Sequence, residues 1–325
     1  MDLNNKNILL VRLGKIGDII IASSVFEILK NKFPNCRITL LTLKRNTEVL
    51  KYNPKIDFKI FTSKNLSLYL SLLKLRNINF DLLLDLNDDA SKTSSIIRKL
   101  VKIKSSVGFD FGSADKPSIT IPQPDKNKTH ILDRIIVLLN AIDIYPEKNN
   151  FKPILYLGKQ EESEIVNQLT AFEEYRIAAI NISAGAPIRI WKDEYYSKLI
   201  KAIAKNERWK IVILHSKEDF KKAKSLSLTF EGNKVIQMRY HSFQHFASYI
   251  RHANLLITAD TSAVHVASAF NIPVIALYPK VKWNFVSWQP LSDLKISLLS
   301  KTESINGIAV EEVLNAFGTI KKEIN

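Results

Sequence analysis

Residues 8–25 read ILLVRLGKIGDIIIASSV: an apolar run, a turn with two glycines and one aspartate, then a second apolar run. β-Branched residues and leucine dominate 8–13, as in a strand covered on both faces. The stretch 19–33 has the length of a helix, and Asp18 stands directly before it. A buried strand that feeds a helix through a tight turn opens a βαβ unit. Three roles compete for Asp18. As a helix N-cap it would accept N–H groups of the first turn, worth about 1 kcal/mol. As part of a phosphate loop it would sit with Gly14, Lys15 and Gly17, the glycines letting the backbone approach a ligand. As a catalytic base at the carboxyl edge of a strand it would take a proton from an incoming hydroxyl. The dinucleotide version of the loop is disfavoured, because Gly-x-x-Gly is not Gly-x-Gly-x-x-Gly. The second apolar run also ends in Leu43-Lys44-Arg45, with no acidic residue to hold a ribose. Cap and base are compatible in a group with two oxygens, and a helix N-terminus keeps it ionised.

Working outward, the alternation persists. Strand-like runs occupy 8–13, 37–43, 57–61, 80–86 and 106–109. Helix-length amphipathic segments fall at 19–33, 66–76, 91–102 and 130–142. The second half repeats the scheme, with strands at 177–183, 209–215, 234–238, 255–259 and 273–278. Helices are expected there at 194–205, 220–227, 242–253 and 263–270. Such alternation predicts an α/β protein with parallel sheets. The seam YPEKNNFKPILYLG (145–158) is rich in Pro, Asn and Lys and reads as a linker between domains 1–150 and 151–325. Two open sheets would face a central cleft, with ligands at the carboxyl ends of the strands. A last helix, 310–322, is expected to pack back across that cleft onto the first domain.

The 325 residues are 46% hydrophobic and 24% charged, an ordinary globular balance that excludes a disordered chain. No apolar run approaches the roughly 20 residues of a membrane helix. The start, MDLNNKN, lacks the basic and apolar regions of a secretory signal, and a single cysteine, Cys36, makes no internal disulfide. The expectation is a cytoplasmic protein. Against 32 acidic residues stand 47 Lys and Arg, a net charge of +15 that favours a polyanionic partner. Nucleic acid is not that partner, since the basic residues are spread out and no helix-turn-helix, zinc or RNP pattern appears. Asp88-Asp89 makes no acidic-x-acidic site at a strand end, and His241/His245 has helical metal spacing without a third ligand, so no metal is expected.

Two further loops carry candidate chemistry. In LLITADTSAVHVASAFNIPVIALYP (255–279), a strand ends at Asp260 and small residues open a helix at Thr261, Ser262 and Ala263, with His265 one turn in. A helix start of this kind holds phosphate; equally, Asp260 or Thr261 is a plain cap and His265 a packed histidine. In SAGAPIRIWK (183–192), Arg189 and Lys192 flank Trp191 before another helix. They can neutralise a pyrophosphate, or be solvated loop charges.

In order, LVRLGKIGDII, FDLLLDLN, SAGAPIRIWK and ADTSAVHVASAFNIPVIALYP resemble glycosyltransferase family 9, the ADP-heptose:lipopolysaccharide heptosyltransferases and their relatives. The resemblance implies a GT-B fold of two Rossmann-like domains, acceptor at the first, nucleotide sugar at the second, and inverting, metal-independent transfer without a cofactor. It implies that Asp18 is the general base, that Arg189 stands at a phosphate-contacting site where the family usually has Lys, and that Asp260, Thr261, Ser262, Ala263 and His265 form the donor loop. Ser262 replaces the usual glycine. Asp219 falls in the region where an acidic residue meets the donor ribose, and Lys192 joins Arg189 on the leaving diphosphate. The implied partners are a nucleotide sugar, foremost ADP-heptose, and a phosphorylated lipid or oligosaccharide acceptor of the lipopolysaccharide core. The implied place is the inner face of the inner membrane. Lys44, Arg45, Lys64, Arg98, Lys99, Lys102 and Lys104 are the candidate contacts to its anionic surface. The alternatives are another nucleotide sugar or acceptor, or a sugar-nucleotide-binding protein without turnover.

Overall fold

In the computed structural model every residue is described except 64, 65, 113, 231–233, 240, 241 and 325. The chain divides into two compact units, Met1–Tyr156 and Leu157–Asn325. Lys64 and His241 lie outside the described residues.

The first unit runs β1 (Asn7–Arg12), α1 (Ile16–Lys32), β2 (Arg37–Leu43), α2 (Thr47–Leu50), β3 (Phe58–Thr62), α3 (Leu66–Leu75), β4 (Asn79–Asp85), α4 (Lys92–Leu100), β5 (Lys102–Asp110), β6 (Ile119–Pro122) and α5 (Ile131–Asn140). Its six-stranded sheet has the order β3-β2-β1-β4-β5-β6, with every pairing parallel. The central strand β1 buries Ile8, Leu9, Leu10 and Val11 completely, as a strand with helices on both faces must.

The second unit runs α6 (Lys159–Leu169), β7 (Arg176–Asn181), α7 (Asp193–Ala204), β8 (Trp209–Leu214), α8 (Phe220–Leu228), β9 (Val235–Gln237), α9 (Phe243–Arg251), β10 (Leu255–Ala259), α10 (Ser262–Phe270), β11 (Val274–Tyr278), α11 (Lys282–Ser287), β12 (Lys295–Leu299) and α12 (Val310–Glu323). Its sheet, β9-β8-β7-β10-β11-β12, repeats the topology of the first. Both are doubly wound α/β sheets in the Rossmann order, whose strand direction of travel reverses beside the first strand. The switch points are therefore β1/β4 in the first unit and β7/β10 in the second.

The structure departs from the sequence expectations in identifiable places. The edge strands β6 and β12 were not anticipated, although the opposite edges β3 and β9 were; β6 follows β5 with no helix between them, outside the alternation that marks the other strands. Helix α6 was missed too; in KQEESEIVNQL only Ile165 and Leu169 are buried. The expected linker is not loose. Phe151 and Leu155 are buried, the Ile154 amide donates to Ser23 Oγ at 2.7 Å and the Tyr156 hydroxyl donates to Glu27, so 145–156 is strapped to α1. Helix α12 uses its apolar face on its own unit: Val313, Phe317 and Ile320 lie in one cluster with Trp209 and Ile200, and the Phe317 ring meets Trp209 at 5.0 Å.

Candidate active site

At the carboxyl end of β1, Arg12 folds beneath the loop that follows it. Its side chain is only 4% exposed; one Nη donates to Asp18 Oδ1 and the other to the Leu86 carbonyl. Asp18 Oδ2 accepts the Lys15 N–H at 2.6 Å. Helix α1 starts at Ile16 with Lys15 as its N-cap, so Asp18 is the third residue of the first turn and not the cap. It reaches back to the cap amide, one half of a capping box. Gly17 lies inside the helix, and Gly14 owes its identity to space. A Cβ built there meets Asp18 Oδ2 at 2.5 Å and Asp18 Cβ and Cγ at 2.6 Å.

Neighbouring loops lock this arrangement. The Leu13 amide donates to Asn87 Oδ1 at 2.9 Å, and the Asn87 amide group donates to Asp85 Oδ1 at 2.7 Å. Asn46, beyond β2, donates to the Gly14 carbonyl at 3.2 Å and to Thr42 at 2.9 Å. Asp85 itself is buried, and that burial pushes its carboxyl above the usual carboxylate range against the opposing hydrogen bonds of Ser94 and Asn87. Next along, Asp88 receives Arg134 from α5 at 3.0 and 2.9 Å, and Asp89 receives Lys126 at 2.5 Å. The acidic pair thus anchors the β4 loop through cations of the chain itself.

In the second unit, the carboxyl ends of β7 and β10 meet through Asn181. Its side-chain amide donates to Thr258 Oγ1 at 3.0 Å, Thr261 Oγ1 at 3.3 Å and the Ser183 carbonyl at 3.1 Å. Thr261, not Asp260, is the N-cap of α10, accepting the Ala263 N–H at 3.3 Å. Ser262 is the first helical residue, Ala263 the buried second. Asp260 is buried against Arg189, whose Nη2 lies 3.2 Å from Oδ2 and whose Nη1 donates to the Asp260 carbonyl at 3.0 Å. Asn284 of α11 donates to the same carboxylate. Arg189 remains 28% exposed, and a guanidinium has more N–H donors than these contacts use.

The other expected site residues fall around this core. Trp191 is fully buried and donates to the Ile308 carbonyl at 3.1 Å, which pins the 183–192 loop between its two cations. Lys192 is half-exposed, 3.9 Å from Glu194 and over the Tyr195 ring. Asp219, at the start of α8, accepts hydrogen bonds from Ser183 Oγ and from Ser216 Oγ, the latter at 3.3 Å, and so joins the β7 and β8 loops. His265 is buried in α10 with its ring edge-on to Trp288 at 5.6 Å. Near Asp260, Tyr278 has its hydroxyl driven far above the ordinary phenol range by burial and by that carboxylate. His245 is engaged by Ser242 at 2.6 Å and Glu164 at 2.8 Å, so the expected metal-spaced pair has this member in a protein network.

Sequence reading missed Arg12, Asn87, Asn181 and Asn284. Arg12 had a usable signal, a charge at the last position of a buried strand, where only a partnered cation is tolerated. The result is a parallel construction. In each unit a carboxylate beyond the strand end at the switch point, Asp18 in the first turn of α1 or Asp260 just before α10, is held by an arginine.

Residues 71–312 match the model of glycosyltransferase family 9 (heptosyltransferase). The chain belongs to glycosyltransferase family 9. Membership makes it a glycosyltransferase of the heptosyltransferase group. The opening loop precedes the matched range, and one relative matches over most of the chain. That relative is an Escherichia coli (strain K12) protein whose assignment as lipopolysaccharide heptosyltransferase 4 is provisional. It is 26% identical over 312 residues, covering 93% of this chain and 84% of the relative. Among solved structures, the family 9 glycosyl transferase of Veillonella parvula DSM 2008 superposes with a TM-score of 0.85 at 18% identity, covering 99% of both chains. The E. coli ADP-heptose LPS heptosyltransferase II gives 0.80 at 19% identity, covering 98% of this chain and 99% of that one. These two likenesses carry the fold: the family 9 chain has the GT-B architecture of two Rossmann-like α/β/α units.

Proposed function

We propose that this protein transfers a heptose from ADP-heptose, with inversion, onto a hydroxyl of the lipopolysaccharide inner core or a related glycan. The observation that carries the reading is the Asp18 carboxylate at the β1 switch point, held by Arg12 and the Lys15 amide. Each carboxylate oxygen can accept more than one hydrogen bond, so a substrate hydroxyl can still dock on it. Asp18 takes that hydroxyl's proton as its oxygen attacks the anomeric carbon; the bond to the diphosphate breaks with inversion. The first unit is the acceptor side and the second the donor side.

Charge developing on the departing diphosphate is met by Arg189, Lys192 and the N-terminus of α10 at Thr261, Ser262 and Ala263. Fixed positive groups then do what a divalent ion does in other transferases, and the reaction uses neither metal nor cofactor. Asp219 takes the donor ribose, and His265 backs the donor loop from within α10. The acceptor is a phosphorylated lipid, and the protein works peripherally at the inner face of the inner membrane. No helix among the described residues is long and apolar enough to cross a membrane. The name of the E. coli heptosyltransferase II supports ADP-heptose as the first donor to try.

The test is release of nucleoside diphosphate from ADP-, UDP-, GDP- and TDP-sugars, with and without a lipid A–core acceptor. Acceptor-dependent ADP release from ADP-heptose is the expected result. Preference for another nucleotide moves the donor assignment, and binding without release in every pairing removes the catalytic one.

A further inference from the structure

Helix α3 is apolar on both sides. Leu68, Leu72 and Leu75 pack into a core cluster with Leu9, Val11 and Ile97. On the opposite side Leu66, Tyr69, Leu70 and Leu73 are 72%, 49%, 54% and 52% exposed. Positions i, i+3, i+4 and i+7 share an arc of about 100° on a helix, so these four form one continuous stripe. A helix packed on a sheet ordinarily presents charge to water there, and an apolar stripe of this kind marks an interaction surface.

The surroundings indicate what it meets. Residues 58–80 and 90–109, which contain β3, α3, α4 and most of β5, hold no Asp or Glu at all. Lys74, Arg76, Lys92, Lys99, Lys102 and Lys104 are exposed in those stretches. Arg98 is not among them, being held by Asp115 at 2.8 Å. Ile97 of α4 packs in the same cluster as the inner face of α3, so the cations of α4 belong to the same side of the unit, whereas Lys102 and Lys104 flank Ile103, which packs on that cluster, and face the other way. A second copy of this chain would bring like charges together and is disfavoured.

We infer that the outer face of α3 is a docking surface for an anionic lipid bilayer. Leu66, Tyr69, Leu70 and Leu73 enter the boundary between headgroups and acyl chains, and the cations engage the headgroups. This rests on the peripheral-membrane part of the reading above and names the surface that performs it.

The full-length protein is tested on phosphatidylcholine vesicles with and without phosphatidylglycerol. In Tyr69→Cys an environment-sensitive fluorophore labels the helix alone, since Cys36 is buried. Binding to anionic vesicles is expected, with a part that survives high salt, because an inserted stripe is not screened. The label should turn bright and be quenched by acyl-chain quenchers. Leu70→Gln/Leu73→Gln, at exposed positions and with good helix propensity, should keep its melting temperature and lose about tenfold or more in vesicle affinity. If binding is wholly salt-labile, equal in the double variant and dark at position 69, the α3 assignment fails while peripheral binding stands. No binding to either vesicle overturns both. A dimer in sedimentation that the double variant dissolves would make the face an interface between copies, and overturns the lipid assignment.

Discussion

Arg12 and Asp18 are joined by an ion pair at the carboxyl end of β1, with the guanidinium also donating to the Leu86 carbonyl of the β4 loop. One buried cation thus sets the carboxylate and ties together the two strands that flank the switch point. Lysine keeps the charge but lacks the planar fork whose two Nη groups reach the two acceptors separately. Arg12→Lys should fold, bind the sugar nucleotide as wild type does, and lose about tenfold or more in kcat. Asp18→Asn should bind the donor as well and lose about 10²–10⁴-fold in turnover, because the amide keeps an acceptor oxygen but takes no proton. Donor titration beside turnover checks both; a wild-type rate in Asp18→Asn would leave that residue with its first-turn role only.

Gly14→Ala is the steric counterpart. The added methyl collides with the Asp18 side chain at 2.5–2.6 Å, so either the loop or the carboxylate must move. Turnover should fall well beyond what a destabilisation of about 1–3 kcal/mol explains at a temperature where the variant is folded. Thermal melting and kcat measured side by side separate the two effects; an active Gly14→Ala would show that the Asp18 position is not critical.

Arg189→Ala removes the guanidinium from beside Asp260, which stays buried with Asn284 still donating to it. The expected loss is about 2–4 kcal/mol of transition-state stabilisation, read as kcat/KM for the nucleotide sugar. Acceptor KM should hardly change. A change confined to the acceptor would put Arg189 in the other subsite.

Transfer should proceed in EDTA at the untreated rate. The reasoning is that Arg189, Lys192 and the start of α10 supply the positive charge that a leaving diphosphate requires. Activity lost on chelation and restored by Mg²⁺ or Mn²⁺ would reassign that role to an ion.

Asp85 links pH to stability. Burial raises its folded carboxyl above the value in the unfolded chain, so the native state holds a proton that the unfolded state has released. Its contribution to stability is complete below the ordinary carboxylate range and is lost as pH rises through the elevated folded value. Asp85→Asn should remove that component, so its melting temperature falls less than wild type's over the same rise in pH. Parallel melting curves across the acid-to-neutral range would contradict this.

Much of the architecture was readable without coordinates, and the reason is local. Strands β2 and β10 were read to the residue, since both are runs of β-branched and leucine residues, buried at nearly every position and bounded by polar residues. β6 and β12 were not, although the edges β3 and β9 were, because ITIP follows β5 without an intervening helix and KISLL is exposed or half-buried along its length. The site divides the same way. Asp260 and Thr261 stood out as polar residues where a buried run ends, and Asp18 and Arg189 as charges in the segments that follow one. Arg12 carried a signal of its own, a charge ending a buried strand, but not the identity of its partner, because the contact with Asp18, six residues on, exists only in the folded turn.

The order of apolar runs and helix-length segments, set by side-chain periodicity along the chain, was sufficient for a doubly repeated α/β protein with its candidate site residues in and just beyond the loops after β1, β7 and β10. Tertiary structure alone decided which groups those loops hold together. Asn181 and Thr261 are 80 positions apart, Arg189 and Asp260 are 71 apart, and each pair meets because parallel pairing lays β7 beside β10. The same holds for Leu13 and Asn87, 74 apart across β1 and β4. Periodicity reports burial, which acts residue by residue; hydrogen bonds between loops depend on strand order, which no stretch of sequence contains by itself.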